Sequence, residues 1–150
     1  MTPAELALAP VENIAHAIEL SVAPVFLLSG IGVFLGVLTQ RLARVIDRAR
    51  PLEQRLDTAG DAERVGLERE LRLLARRGRY INRCLTASVS SAIAVALVVV
   101  LIFLSEFIRF PLAAPVSVLF IAAMLSLLVG LVYFLLEVGV ATRQLRIGRR

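Results

Sequence analysis

Three long runs without a charged residue constrain this chain more than any other feature. Glu19 and Arg41 bracket 20–40, Arg83 and Glu106 bracket 84–105, and Arg109 and Glu137 bracket 110–136, giving runs of 21, 22 and 27 residues. A helix rising about 1.5 Å per residue crosses about 30 Å of hydrocarbon in roughly 20 residues, so each run is long enough to span a bilayer. Composition agrees: 58% of the 150 residues are hydrophobic, 19% are charged, and the 6% aromatic share includes no Trp. The excess is therefore Ala, Val, Ile and Leu, which excludes both a disordered chain and an ordinary water-soluble domain. Pro111 and Pro115 suit a turn and a first helical position, so the third crossing is expected to begin near Pro115.

Arginine placement gives the orientation. Residues 41–83 hold twelve Arg against seven acids, and 143–150 hold four Arg and no acid. Such segments resist translocation. The N-terminal 1–19 carries Glu5, Glu12 and Glu19 without a basic residue, and 105–114 carries only Glu106 and Arg109. The sequence thus predicts an all-α integral membrane protein with three transmembrane helices and a cytoplasmic antiparallel helical hairpin between the first two. Its expected segments are a periplasmic 1–19 with a short interfacial helix, spans at 20–40, 84–105 and 115–137, the hairpin at 41–83, a periplasmic loop at 106–114 and a cytoplasmic basic tail at 138–150. The first span is expected to be retained as an anchor, because no basic n-region precedes it and Arg41, Arg44 and Arg48 follow it. All 17 basic residues are Arg, a usage typical of GC-rich bacterial genomes, so the expected location is a bacterial inner membrane.

The net charge of +5 is explained by topology rather than by nucleic acid, which is not expected as a partner. The single cysteine, Cys84, can form no internal disulfide, and His16 has no Cys or second His near it to share a metal. No metal or other cofactor is expected.

Between the first two spans the apolar residues adopt helical spacing. Leu42, Val45, Ala49, Leu52 and Leu56 form one stripe, and Leu67, Leu71, Leu74, Gly78 and Ile81 form a second. The stripes are expected to face each other or a neighbouring subunit. Gly60 suits the turn between them, Asp61 the N-cap of the second arm, and Glu63 its positive end. Pro51 removes a backbone bond and disfavours helix at Arg50, so the first arm is expected to kink or restart there.

The run SVAPVFLLSGIGVFLGVLTQRLARVIDRAR from Ser21 to Arg50, with APVFLLSGIG at Ala23–Gly32 and RLARVIDRAR at Arg41–Arg50, resembles the signature of a bacterial family of small three-span inner-membrane proteins known as a domain of unknown function. The resemblance extends through Tyr80, Asn82 and Arg83 and covers most of 11–145. It implies the three-span topology and supplies no activity, substrate or catalytic residue.

Small residues recur at packing intervals: Ser29, Gly32, Gly36 and Thr39 in the first span, Ala87, Ser91 and Ala94 in the second, and Ala122, Ser126 and Gly130 in the third. Such rows let helices approach closely, within one subunit or between subunits. Ser88, Ser91, Ser117 and Ser126 offer either a polar path or bonds to the carbonyl four residues back. At the inner boundary, Arg41, Arg44, Arg48, Arg79, Arg83, Arg143 and Arg146 form a girdle suited to anionic lipid heads. Asp47 is expected to pair with Arg44 or Arg50, and Glu137 with Arg41 or Arg44, as charge compensation or as part of an ion-selecting mouth. Glu106 and Arg109 suit a solvated outer pair. No HExxH, phosphate loop or Ser, His and Asp set is present, so no enzyme is expected. The favoured expectation is a homo-oligomer forming a channel-like assembly. The alternative is a non-conducting adaptor that docks a cytoplasmic or membrane partner through Leu67, Leu71 and Leu74.

Overall fold

The charge-free runs belong to three helices that extend beyond them on their charged sides: α1 (Pro3–Thr58, 56 residues), α2 (Asp61–Ile108, 48 residues) and α3 (Ala113–Leu145, 33 residues), the last starting three residues inside its run. This computed structural model describes the backbone of residues 3–108 and 112–145, and the side-chain surroundings of 14–105 and 112–140. Among the described residues there is no strand. Each helix contains a stretch long and apolar enough to cross a membrane, and most of each stretch is left uncovered by the rest of the chain. The chain is a multi-pass membrane protein. Glu106, Arg109, Pro111, Arg143 and Arg146 lie outside the residues whose side chains are described, so the outer pair and the basic tail are not placed.

Helix ends follow local chemistry. Ala59 and Gly60 separate α1 from α2, and the Gly60 carbonyl accepts the N–H groups of Glu63 at 3.0 Å and Arg64 at 3.1 Å. Gly60 is therefore the capping residue. Asp61, expected at that position, lies in the first turn with Glu63, where both acids still favour the positive end of the helix. In α3 the first bond runs from Val116 N–H to the Leu112 carbonyl at 3.0 Å, so the helix begins two residues before Pro115. Proline is tolerated there because the first-turn amides have no intrahelical partner.

The restart expected at Pro51 does not occur, since α1 is continuous through it. Pro51 is exposed, while Ala49 and Leu52 on either side pack against the neighbouring helix. That packing holds the helix across the missing bond. Buried Pro24 is likewise contained in α1.

The described residues fall into two compact units. The first takes in residues of Met1–Val33 and Val89–Leu127. Its buried positions are Ala17, Ser21, Pro24 and Ile31 of α1, Ser91, Val95 and Val98 of α2, and Ala123 of α3. The Ser91 hydroxyl donates to the Ala123 carbonyl at 2.8 Å, joining α2 to α3 through a polar group that lipid cannot satisfy.

The second unit takes in residues of Phe34–Ser88 and Leu128–Arg150. Val45, Leu74 and Ile81 form its apolar cluster, with Leu42, Ala49, Leu52 and Leu85 packed against them. The two arm stripes do face each other. Leu67 is also buried, Leu56 and Leu71 half-buried, and the exposed pair Arg48 and Glu70 bridges α1 and α2 at 3.0 Å. Among the described glycines, Gly130 of α3 makes the closest approach: an added Cβ would lie 3.0 Å from Ser88 Oγ, 3.4 Å from the Cys84 carbonyl oxygen and 3.6 Å from Ala87 Cβ.

Replacing Gly130 by Leu forces these neighbours apart and is expected to lower stability by about 1–3 kcal/mol. The check is thermal or denaturant unfolding of the purified protein in mild detergent. Unchanged stability contradicts this packing.

Candidate functional site

Glu137 follows directly on the third charge-free run and its side chain is 1% exposed. A carboxylate so deeply buried is costly unless paired and hydrogen-bonded. Two helices supply the pairing. Arg41 of α1 donates through Nη1 to Oε2 at 2.5 Å, and Arg77 of α2 donates to Oε1 through Nη2 at 2.9 Å and Nε at 3.3 Å. The position of Arg77 follows from its helix: it lies three residues after Leu74 and four before Ile81, on the face already turned inward by those two. Arg41 leaves the first charge-free run one residue after Gln40.

An aromatic ring meets the cluster, and further rings pack on neighbouring arginines. Arg41 lies over the Phe134 ring, 5.0 Å from its centre, and Phe134 meets Phe34 edge-on at 5.5 Å. One residue earlier on α3, Tyr133 packs against Tyr80 at 6.4 Å, while Arg83 lies over Tyr133 and Arg76 over Tyr80 at 5.7 and 5.8 Å. Ring faces favour cations over anions, so these contacts hold guanidinium groups beside the apolar helices.

The arginines leave open clefts between them. One of about 350 Å³ is lined by Arg41, Arg44, Val45, Arg48 and Arg77. A second of about 530 Å³ includes Arg69, Arg72, Arg76 and Arg79, and a third of about 170 Å³ lies between Arg76, Arg79, Tyr80 and Arg83. Of the expected girdle, Arg41, Arg44 and Arg48 share the first cleft, and Arg79 and Arg83 the third. Arg44 is exposed and makes one weak bond, from Nε to the Gln40 carbonyl at 3.4 Å.

A family model described as Protein of unknown function (DUF2721) matches residues 21–147. The chain belongs to this family. No curated protein and no solved structure matches it. The matched region contains every residue of the Glu137 cluster and of the three clefts.

Glu137 pairs with Arg41, one of its two expected partners; the other, Arg44, points its one bond at Gln40. The Asp47 pairing is not formed. Asp47 is exposed and has no ion pair among the described residues, because water solvates a surface carboxylate as well as an arginine one turn away does. Arg77 and Glu70 were not singled out by the sequence, although their placement within the second stripe is the signal that finds them. The small-residue rows divide by helix. Ser29, Gly32, Gly36 and Thr39 are exposed, Ser91 and Gly130 are buried, Ala87, Ala94 and Ser126 are half-buried, and Ala122 is exposed beside the buried Ala123. Ser88 and Ser91 are fully buried within the chain, whereas Ser117 returns its hydroxyl to the Ala113 carbonyl at 2.8 Å.

Removing one partner of a buried ion cluster costs about 3–5 kcal/mol when a charge is left unpaired. Glu137→Ala strands two arginines and is expected to lose that amount, while Arg77→Gln leaves Glu137 balanced by Arg41 and loses less. Unfolding in detergent ranks the two. Equal losses would show that the carboxylate does not bridge both helices.

Proposed function

We propose that the protein is a non-catalytic homo-oligomer of a bacterial inner membrane, built through the first helix into a channel-like assembly, with its N-terminus outside and its arm and C-terminus cytoplasmic. The observation that carries this reading is the contrast among the glycines. Gly130 is accounted for by close packing inside the chain, but a Cβ added at Gly32 or Gly36 would meet nothing within 4 Å. Both are exposed, as are Ser29 and Thr39. A glycine inside a helix costs about 1 kcal/mol relative to alanine and has no use against fluid lipid, whereas a GxxxG pair on an exposed face suits the close approach of a second helix. The small and hydroxyl residues of that face are the ones available to line a path between copies, because Ser88 and Ser91 are enclosed in the chain's own contacts. Orientation is supported by the gathering of sixteen of the seventeen arginines into 41–83 and 143–150.

The adaptor alternative has less support. Leu67 and Leu74, two of its three docking residues, are buried in the chain, and the third, Leu71, is half-buried.

Native mass spectrometry in mild detergent, with and without Gly32→Leu and Gly36→Leu, tests the assembly. The expected result is a closed ring of several copies that the substitutions dissociate towards monomer. A monomeric parent, or variants with unchanged stoichiometry, removes the reading. Ion flux from liposomes holding the intact ring tests conduction separately, and a ring that passes no ion at any voltage or tension removes the channel while leaving the oligomer.

A further inference from the structure

The cleft lined by Arg41, Arg44, Arg48 and Arg77 carries an inference that does not depend on the oligomer, since all of its walls belong to the second unit of one chain. Four guanidinium groups meet there, and two carboxylates compensate them: Glu137 serves Arg41 and Arg77, and Glu70 serves Arg48. Two positive charges remain. Asp47, next in sequence to Arg48, neither lines the cleft nor forms an ion pair among the described residues.

The unspent donors are specific. Glu137 engages Arg41 through Nη1 and Arg77 through Nε and Nη2, which leaves Nη2 of Arg41 and Nη1 of Arg77 without a bond to it. Arg44 has no carboxylate partner among the described residues. Arg41 and Arg77 are also held in place, with side chains 32% and 24% exposed, so less of their freedom is lost when a further anion arrives. The cleft volume of about 350 Å³ is on the order of ten times the share of one water molecule in the liquid, room enough for a phosphate group and its ester substituent. Its height is fixed by the sequence: Arg41 ends the first charge-free run and Glu137 the third, so the cleft lies where apolar helix gives way to charged helix. Basic pockets between helices at that level suit phospholipid head groups.

We propose that this cleft is a binding site for one phosphate-bearing anion per chain, with Arg44 and Arg48 as its outer clamp, Arg41 and Arg77 as its inner donors, and Glu137 as the residue that positions the inner pair. A lipid head group and free phosphate share this chemistry.

The test uses the full chain in mild non-ionic detergent. Native mass spectrometry counts phosphatidylglycerol or phosphatidylcholine retained per chain, and calorimetric titration measures inorganic phosphate. The variants are Arg44→Gln with Arg48→Gln, Arg44→Lys, and a control, Arg50→Gln with Arg55→Gln, which removes the same charge from exposed arginines that line none of the three clefts. The expected result is one saturable anion per chain, weakened about tenfold or more by the Arg44 and Arg48 pair, partly restored with Lys at 44, and changed less than about twofold by the control. Retention of phosphatidylglycerol but not phosphatidylcholine identifies a lipid head group as the source. Saturable phosphate binding without retained lipid identifies a free anion. No saturable binding of either, or equal weakening by the cleft and control pairs in chains that keep the parent's thermal stability, overturns the site. Arg44→Glu serves as a second variant, because reversing an exposed charge abolishes a cleft site without touching the Glu137 cluster.

Discussion

The buried carboxylate of Glu137 is the constraint on which the second unit depends. Placed at the end of an apolar helix and almost wholly out of solvent, it must be met by positive charge or the fold is penalised by several kcal/mol. Meeting it requires α1 and α2 to bring Arg41 and Arg77 to the same point on α3, which fixes the rotation and height of all three helices at that level. The apolar contacts then fall into register: Val45 against Leu74 and Ile81, Phe34 against Phe134, and Gly130 against Cys84, Ala87 and Ser88. An apolar contact alone tolerates sliding by a residue or two. An ion cluster does not, because a misplaced carboxylate is left unpaired.

The rest of the packing follows from lipid as solvent. Between helices in hydrocarbon the hydrophobic effect supplies no attraction, so close fit and satisfied polar groups have to hold them. That is why the fully buried set contains the small residues Ala17, Ala123 and Ser91 alongside Leu38, Val95 and Val98, with the Ser91 hydroxyl satisfied by the Ala123 carbonyl. It is also why large residues such as Phe26, Val33, Val118 and Leu135 are exposed without harm. In water these would form an aggregation-prone surface, and in a bilayer they are the ordinary boundary of a spanning helix.

The three helices and the facing of the arm stripes were legible because charge-free length and three- and four-residue spacing are one-dimensional signals. Features decided by tertiary context were not. Pro51 reads as a kink or a restart from its own chemistry, and the restart is overruled by a continuous α1 in which Ala49 and Leu52 pack against the neighbouring helix. Asp61 reads as a cap because its side chain suits one, yet the helix starts one carbonyl earlier, at a glycine. Glu137 was recognisable as needing an arginine, but choosing between Arg41 and Arg44 and adding Arg77 requires knowing which face of each helix meets α3. The Asp47 pairing failed for the opposite reason, since proximity along a helix says little when water competes for both charges.

The arginine surplus of the arm is therefore more than an orientation signal. Translocation is opposed by any positive charge, and lysine would serve that purpose as well as arginine does. Lysine would not serve at 41 or 77. A guanidinium is a planar fork that stays charged when buried, stacks on a ring face and donates from two edges at once. Arg41 uses these properties together, with one edge on Glu137 and its face over Phe134. One carboxylate cannot neutralise two such groups, so the cluster that locks the helices necessarily leaves positive charge beside it. The structural requirement for Glu137 and the anion binding proposed for the adjoining cleft thus share an origin in that surplus, to which the unpaired Arg44 adds.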